Sequence, residues 1–158
     1  MLFLLARIAE GRNDPELDHG LYGQSEGLVA PFMRQGFGAI SVMLALARTS
    51  AQLDRLEDQA RYAEEALRAS RRSGYRFQIG RSLMECAQAA QEASDIDRAC
   101  NLPTEAFEAF SDQRWRQLRM QCAHQFAELE RLAGCPIEAA RCRHEVDIAA
   151  AAREEASS

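Results

Sequence analysis

Apolar residues recur at intervals of three and four along most of the chain, the pattern that predicts amphipathic α-helices. The clearest runs contain Phe77, Leu83, Met84, Cys86, Ala87 and Ala90, and then Leu118, Cys122, Ala123, Phe126, Ala127 and Leu129. No segment alternates with the period of two that a strand requires, so the sequence predicts an all-α protein. Turn and helix-start signals at Asp14, Pro15, Gly134 and Pro136 help to place the boundaries. Eight helices are predicted, at residues 2–10, 15–33, 36–51, 54–73, 76–93, 96–110, 113–133 and 136–154.

The same arrangement of residues returns after 40 positions. Tyr75 and Trp115, which are 40 residues apart, each stand just before an amphipathic run. The same step joins further pairs of similar residues: Phe37 with Phe77, Met43 with Leu83, Ala47 with Ala87 and Ala127, and Ala66 with Ala106. We therefore expect repeating units of about two helices each, at residues 1–33, 34–73, 74–112 and 113–155. Residues 156–158 are predicted to be a disordered tail.

Small apolar residues are expected within each pair of helices, and larger apolar residues between successive pairs. Alanines at 87, 99, 106, 127 and 139 would let paired helices approach closely, whereas larger residues would fill the space between successive pairs. A single helical hairpin cannot cover its own apolar face and must stack on a neighbour. The sequence therefore predicts one domain, residues 1–155, built as an α-solenoid of antiparallel helix hairpins.

This pattern resembles that of a known class of repeat. A small residue in the middle of the first helix, followed by Ala99 and Ala106 across the second, resembles the tetratricopeptide repeat. The longer unit of about 40 residues is similar to the repeat arms of LuxR-type bacterial ATPase regulators of the maltose-activator kind, most closely over residues 85–115. The resemblance implies a scaffold that binds another protein or, in such activators, a small inducer molecule. A cytoplasmic location is expected for a separate reason, because the sequence shows no targeting signal.

Composition and charge restrict the possible classes of protein. The 158 residues are 47% apolar and 27% charged, which is typical of a globular domain rather than a disordered or membrane protein. The net charge of −5 disfavours direct nucleic-acid binding. All 19 basic residues are arginine, which suggests a GC-rich bacterial genome. Five cysteines, an odd number, argue against a disulfide-stapled secreted domain, and the opening MLFLLARIAE is too short to span a membrane.

Trp115 raises the question of nucleic-acid recognition, because Arg114, Arg116 and Arg119 surround it. An aromatic ring between arginines could stack on a base while the guanidinium groups bind phosphates. Trp115, however, stands where Tyr75 stands in the preceding unit, at a turn between hairpins. We therefore predict that the ring wedges between consecutive hairpins and serves the fold.

Two positions depart from a regular helix pattern. Pro103 lies inside the sixth predicted helix and should produce a kink or two short helices. Gly36 and Gly38 stand at the start of the third helix, where they form either an ordinary loop or a hinge.

No motif for catalysis or metal binding is present. Cys122-x-His124 and Cys142-x-His144 place their side chains two positions apart, which on a helix points them in different directions. Cys86, Cys100 and Cys122 are better explained as small buried residues. The sequence contains no nucleophile motif or phosphate-binding glycine loop. We expect no metal, no cofactor and no enzymatic activity.

Resemblance to the repeat class implies a concave groove lined by the first helix of each hairpin. The residues that it places there are Ser41, Leu44, Arg48, Arg81, Met84, Gln88, Gln91, Gln121, His124, Glu128 and Arg131. Amides for an extended backbone, arginines for carboxylates and an adaptable methionine suit a peptide. The alternative is a merely solvated face. His124 in this groove could make binding pH-sensitive, or could be an ordinary hydrogen-bonded histidine.

The first helix is apolar and has no preceding partner. Its candidate self-association residues are Met1, Leu2, Phe3, Leu4, Leu5 and Ile8. Because solenoid ends normally carry a polar cap, we expect this helix to pair with another copy or with a missing neighbour. The main hypothesis is a non-catalytic protein-interaction module of a bacterial regulator. The alternative is an arm that binds a small inducer and controls oligomerisation.

Overall fold

Helices account for the whole regular structure of the part of the chain that can be described. The structure, a computed structural model, describes residues 14–28, 36–111 and 115–133. Within these ranges there are six α-helices and no strand, which confirms the all-α prediction. They are α1 (Pro15–Leu28), α2 (Phe37–Gln52), α3 (Leu56–Ser73), α4 (Arg76–Glu92), α5 (Ile96–Ala109) and α6 (Arg116–Ala133). The predicted helices 2–10 and 136–154 and the predicted tail lie outside the described residues. None of the described helices is long and apolar enough to cross a membrane.

Local sequence signals explain where several helices begin and end. Gly74 terminates α3 in the left-handed conformation, with φ 71°, and its N–H donates to the Ser70 carbonyl. The Asp95 carboxylate accepts the N–H of Arg98 at 3.3 Å and so caps the start of α5. These capping contacts fix the directions in which the chain leaves α3 and enters α5.

Two turns that lie 40 residues apart have the same backbone geometry. The α2–α3 turn passes through Asp54 at φ 58° and the α4–α5 turn through Ser94 at φ 60°. In both turns the left-handed residue donates its N–H to the carbonyl three positions earlier, and the next residue donates to the carbonyl five positions earlier. Each turn therefore reverses the chain in the same way.

The helices pack in chain order, and their burial follows the same 40-residue step. Each helix packs against the next, and α2 also contacts α4. Residues 41–52 and 81–92 show the same order of buried, partly buried and exposed positions, with two exceptions. Leu44 and Ala45 are buried, whereas the corresponding residues of α4 are only partly buried.

A glycine and an aromatic ring set the closest approach of α4 and α5. A Cβ atom at Gly80 would lie 2.5 Å from the ring of Phe110, which is completely buried. At the equivalent positions 40 residues earlier the side chains have the opposite sizes, because Ile40 corresponds to Gly80 and Ser70 to Phe110. The absence of a side chain at 80 therefore makes room for the large ring at 110.

Two sequence expectations about single residues need correction. Pro103 lies inside α5, which runs unbroken from Ile96 to Ala109, so the alternative of two short helices is wrong. Pro103 is buried, and its packing offsets the backbone hydrogen bond that the ring removes. Cys86 and Cys122 are buried free thiols, as expected, but Cys100 is partly buried and disulfide-bonded.

Candidate functional site

Buried polar contacts join α2 to α4 on the side where the groove is predicted. The side-chain amide of Gln78 donates to Ser41 Oγ at 3.2 Å and to the Phe37 carbonyl at 3.5 Å. Gln78 is completely buried, and Ser41 is partly buried. Ser41 therefore helps to hold the two helices together, in addition to any contact with a partner.

Farther along the same two helices lie two arginines and a glutamate. Arg48 of α2 is exposed and Arg81 of α4 is partly buried, and both act electrostatically on the carboxyl group of Glu85. Burial raises the pKa of Glu85 to about 7, although the two arginines oppose this shift. We call Arg48, Arg81 and Glu85 the α2–α4 charge cluster.

Glu85 did not appear among the residues predicted to line the groove, although the sequence contains a signal for it. The 40-residue step aligns Glu85 with Ala45, which is buried in α2. A carboxyl group therefore replaces a methyl group at an otherwise equivalent position. Arg81 precedes Glu85 by one helical turn and supplies a nearby positive charge.

Other predicted groove residues on α2 and α4 differ in their accessibility. Leu44 is completely buried, so its side chain belongs to the core and does not line a groove. Met84 is partly buried and packs against the core, while its carbonyl accepts a hydrogen bond from Gln125 of α6 at 3.3 Å. Gln88 is exposed and donates to the Glu92 carboxylate at 3.0 Å. One hydrogen bond therefore links α6 to α4, and Gln88 lies at the surface.

The remaining predicted residues lie on α4, on α6 or outside the described side chains. Gln91 is partly buried, and Gln121 and His124 are exposed. Glu128 and Arg131 belong to α6, but their side chains lie outside the described set. The predicted self-association residues, Met1, Leu2, Phe3, Leu4, Leu5 and Ile8, also lie outside it.

Trp115 packs as part of the fold. Its ring lies 4.5 Å from that of Phe77, centroid to centroid, and both side chains pack against the core. The Arg119 guanidinium lies over the Phe107 ring, 4.3 Å from its centroid. Trp115 thus belongs to the packing of the fold, as predicted, and its role as a wedge between repeating hairpins stays a prediction. Tyr75, the corresponding residue 40 positions earlier, is instead exposed.

A second polar cluster joins α1 to the α2–α3 hairpin. His19 Nδ1 lies 3.0 Å from Thr49 Oγ1, and the His19 ring meets Tyr62 edge-on at 6.4 Å. The Thr49 hydroxyl donates to the Ala45 carbonyl, so we assign the Nδ1 proton to His19 as donor. Burial, and next the charge of Arg55, lower the pKa of His19. Because these contacts join α1 to both α2 and α3, we interpret this cluster as an anchor for α1.

The described residues contain no group of three or more histidine, cysteine or acidic side chains that could hold a metal ion. Cys122 is buried whereas His124 is exposed, so the two side chains point in different directions, as expected from their spacing. Cys142 and His144 lie outside the described residues.

Comparison with known proteins identifies no relative of this chain. No protein-family model matches the sequence, and neither curated proteins nor solved structures show significant similarity to it. The resemblance to tetratricopeptide repeats and to the arms of LuxR-type regulators therefore stays a prediction from the sequence. Evidence about function has to come from the residues themselves.

Proposed function

We propose that the chain is a helical-repeat interaction module of a regulatory protein and binds a partner protein on the face formed by α2, α4 and α6. Its units would be antiparallel hairpins stacked as in a tetratricopeptide-like solenoid. The two equivalent turns and the burial pattern that returns after 40 residues support this arrangement. The module has no catalytic role in this proposal.

The observation that carries the proposal is the α2–α4 charge cluster. A carboxyl group in the position of Glu85 opposes folding when it is ionised, because burial raises its pKa to about 7. Alanine occupies the equivalent position of α2, so the packing of such a helix does not require a charge there. A residue that weakens the fold and lies beside two arginines is a candidate for recognition.

The chemistry of this face suits an extended peptide. Arg48 and Arg81 can bind a carboxylate of the partner, which would occupy the guanidinium groups that now lie near Glu85. Gln88 and Gln121 are exposed and carry the donors and acceptors that pair with a peptide backbone. The partner would therefore contribute one acidic residue and a stretch of extended chain.

A peptide library displayed on phage and selected against the full chain tests the proposal. Fluorescence anisotropy then measures the affinity of a selected peptide for the wild type and for the variants Arg81→Ala and Gln121→Ala. We expect each substitution to weaken binding by about tenfold. Arg98→Ala is the matched control, because Arg98 is an exposed arginine on α5 that pairs with Glu64.

Two results would contradict the proposal. If no peptide binds the wild-type chain, the interaction function is wrong. If peptides bind but Arg81→Ala and Gln121→Ala retain the wild-type affinity, the assignment of the face is wrong.

A further inference from the structure

Arginines and exposed aromatic rings that are not part of the α2–α4–α6 face lie at one end of the helical bundle. The Phe37 and Tyr75 rings meet edge-on there, with centroids 6.5 Å apart. Arg76 donates to the Glu108 carbonyl and to Ser111 Oγ, each at 3.0 Å, so the start of α4 and the end of α5 also meet there. We call this region the basic end. It comprises residues 37, 68–76, 108–111 and 115–116.

Charge is distributed unevenly between the two ends of the bundle. The helices that begin at the basic end, α2, α4 and α6, have no acidic residue in the first turn. The helices that begin at the opposite end have acidic first turns, with Glu57 and Asp58 in α3 and Asp97 in α5. The helix dipoles largely offset one another, because α3 and α5 end where α2, α4 and α6 begin. The positive charge of the basic end therefore comes from its arginine side chains, which face no acidic first turn there.

Two arginines at the basic end have no acidic partner among the described residues. Arg68 and Arg72 are exposed and lie one helical turn apart on α3. Within the described part of the chain neither forms an ion pair; Arg72 Nε donates only to the Arg68 carbonyl, at 3.3 Å. Neighbouring Arg71, by contrast, binds the Glu105 carboxylate at 2.8 Å. Like charges one turn apart repel each other, so a bound carboxylate would stabilise Arg68 and Arg72.

The aromatic pair at this end is uncovered. Phe37 is 55% exposed and Tyr75 is 52% exposed. The pair 40 positions later, Phe77 and Trp115, packs against the core instead. Exposed aromatic side chains beside arginines are typical of the residues that dominate binding energy at protein interfaces.

We propose that the basic end binds an acidic segment of a partner protein that carries one large apolar side chain. Carboxylates of the segment pair with Arg68 and Arg72, and the apolar side chain packs on Phe37 and Tyr75. Glu105 and Glu108 lie among the arginines. They would repel a continuous line of phosphates, whereas separate carboxylates can reach the two arginines individually, so a protein segment fits better than a nucleic acid.

The test uses the full chain and a short fluorescein-labelled peptide in which glutamates flank a central tryptophan. We expect anisotropy to show binding that weakens with added salt. Arg68→Gln with Arg72→Gln should weaken binding by about tenfold, and Tyr75→Ser should do the same. The control is Arg55→Gln with Arg61→Gln, which removes two charges that are paired, with Glu16 and Asp58, near the opposite end. Circular dichroism of each variant checks that it is folded.

Two comparison ligands complete the design: the same peptide with glutamine in place of glutamate, and a single-stranded oligodeoxythymidine of equal charge. The proposal is overturned if the acidic peptide does not bind, or if it binds equally well to the Arg68/Arg72 variant and the control. It is also overturned if the oligonucleotide binds more tightly and depends on the same residues. Because these residues differ from those of the α2–α4–α6 face, either binding proposal can fail without the other.

Discussion

Replacing Gly80 by alanine tests the packing of α4 on α5. In an open helix the substitution should stabilise the protein by about 1 kcal/mol, because alanine loses less backbone entropy than glycine on folding. At this position the new Cβ would lie 2.5–2.8 Å from three atoms of the Phe110 ring, whereas ordinary contacts are 3.4–4 Å. The ring is completely buried and cannot move into solvent. Overpacking of this kind destabilises by about 1–3 kcal/mol, so we expect a net loss of about 1 kcal/mol.

Urea denaturation followed by circular dichroism measures this change in the free energy of unfolding. Gly23→Ala is the matched control, because a Cβ there meets nothing within 4 Å and should stabilise α1 by about 0.5–1 kcal/mol. Phe110→Leu should reduce the effect of Gly80→Ala, which a double-mutant cycle would show as a coupling energy. If Gly80→Ala is as stabilising as Gly23→Ala, the close contact between α4 and α5 is wrong.

Three further predictions concern charge and backbone conformation. Because folding raises the pKa of Glu85 from 4.5 to about 7, the wild type should lose up to about 3 kcal/mol of stability as the pH rises through this interval. Glu85→Gln should remove most of that loss in urea titrations at several pH values; an unchanged pH profile would contradict the assignment. Gly74→Ala should destabilise by about 1 kcal/mol through its φ of 71° alone, since the site has open space, and equal stability would refute this. The exposed Arg71–Glu105 pair should contribute less than about 1 kcal/mol in a double-mutant cycle, and a larger coupling would show that solvent screens it less than we expect.

The helices were predictable because their signals are local. Periodic apolar residues and boundary residues such as Gly74 act within a few positions of one another, and the predicted bounds of α2 to α5 agree with the structure within two residues. Pro103 shows the limit of local reasoning. Its ring disfavours helix in isolation, yet burial against neighbouring helices keeps α5 unbroken.

The candidate site was predictable only in part, because accessibility depends on which faces meet. Leu44 and Arg48 both lie on the predicted groove face of α2, yet Leu44 is completely buried and Arg48 is exposed. Glu85 appears in the sequence as one carboxylate among many. Its pKa is raised only because burial in the folded chain desolvates the carboxyl group, and the rise persists although folding also brings the opposing charge of Arg48 near.

The sequence alone determined the all-helical class, the order of the helices and the 40-residue spacing of similar residues. These follow from the helical period and from backbone preferences, which each segment carries with it. Tertiary structure decided that Phe110 fits against Gly80 and that Trp115 packs against the core while Tyr75 is exposed. It also decided that Arg71 pairs with Glu105, whereas Arg68 pairs with no acidic residue in the described part of the chain. Each of these depends on distances between segments far apart in the chain, and only the packing of whole helices fixes such distances.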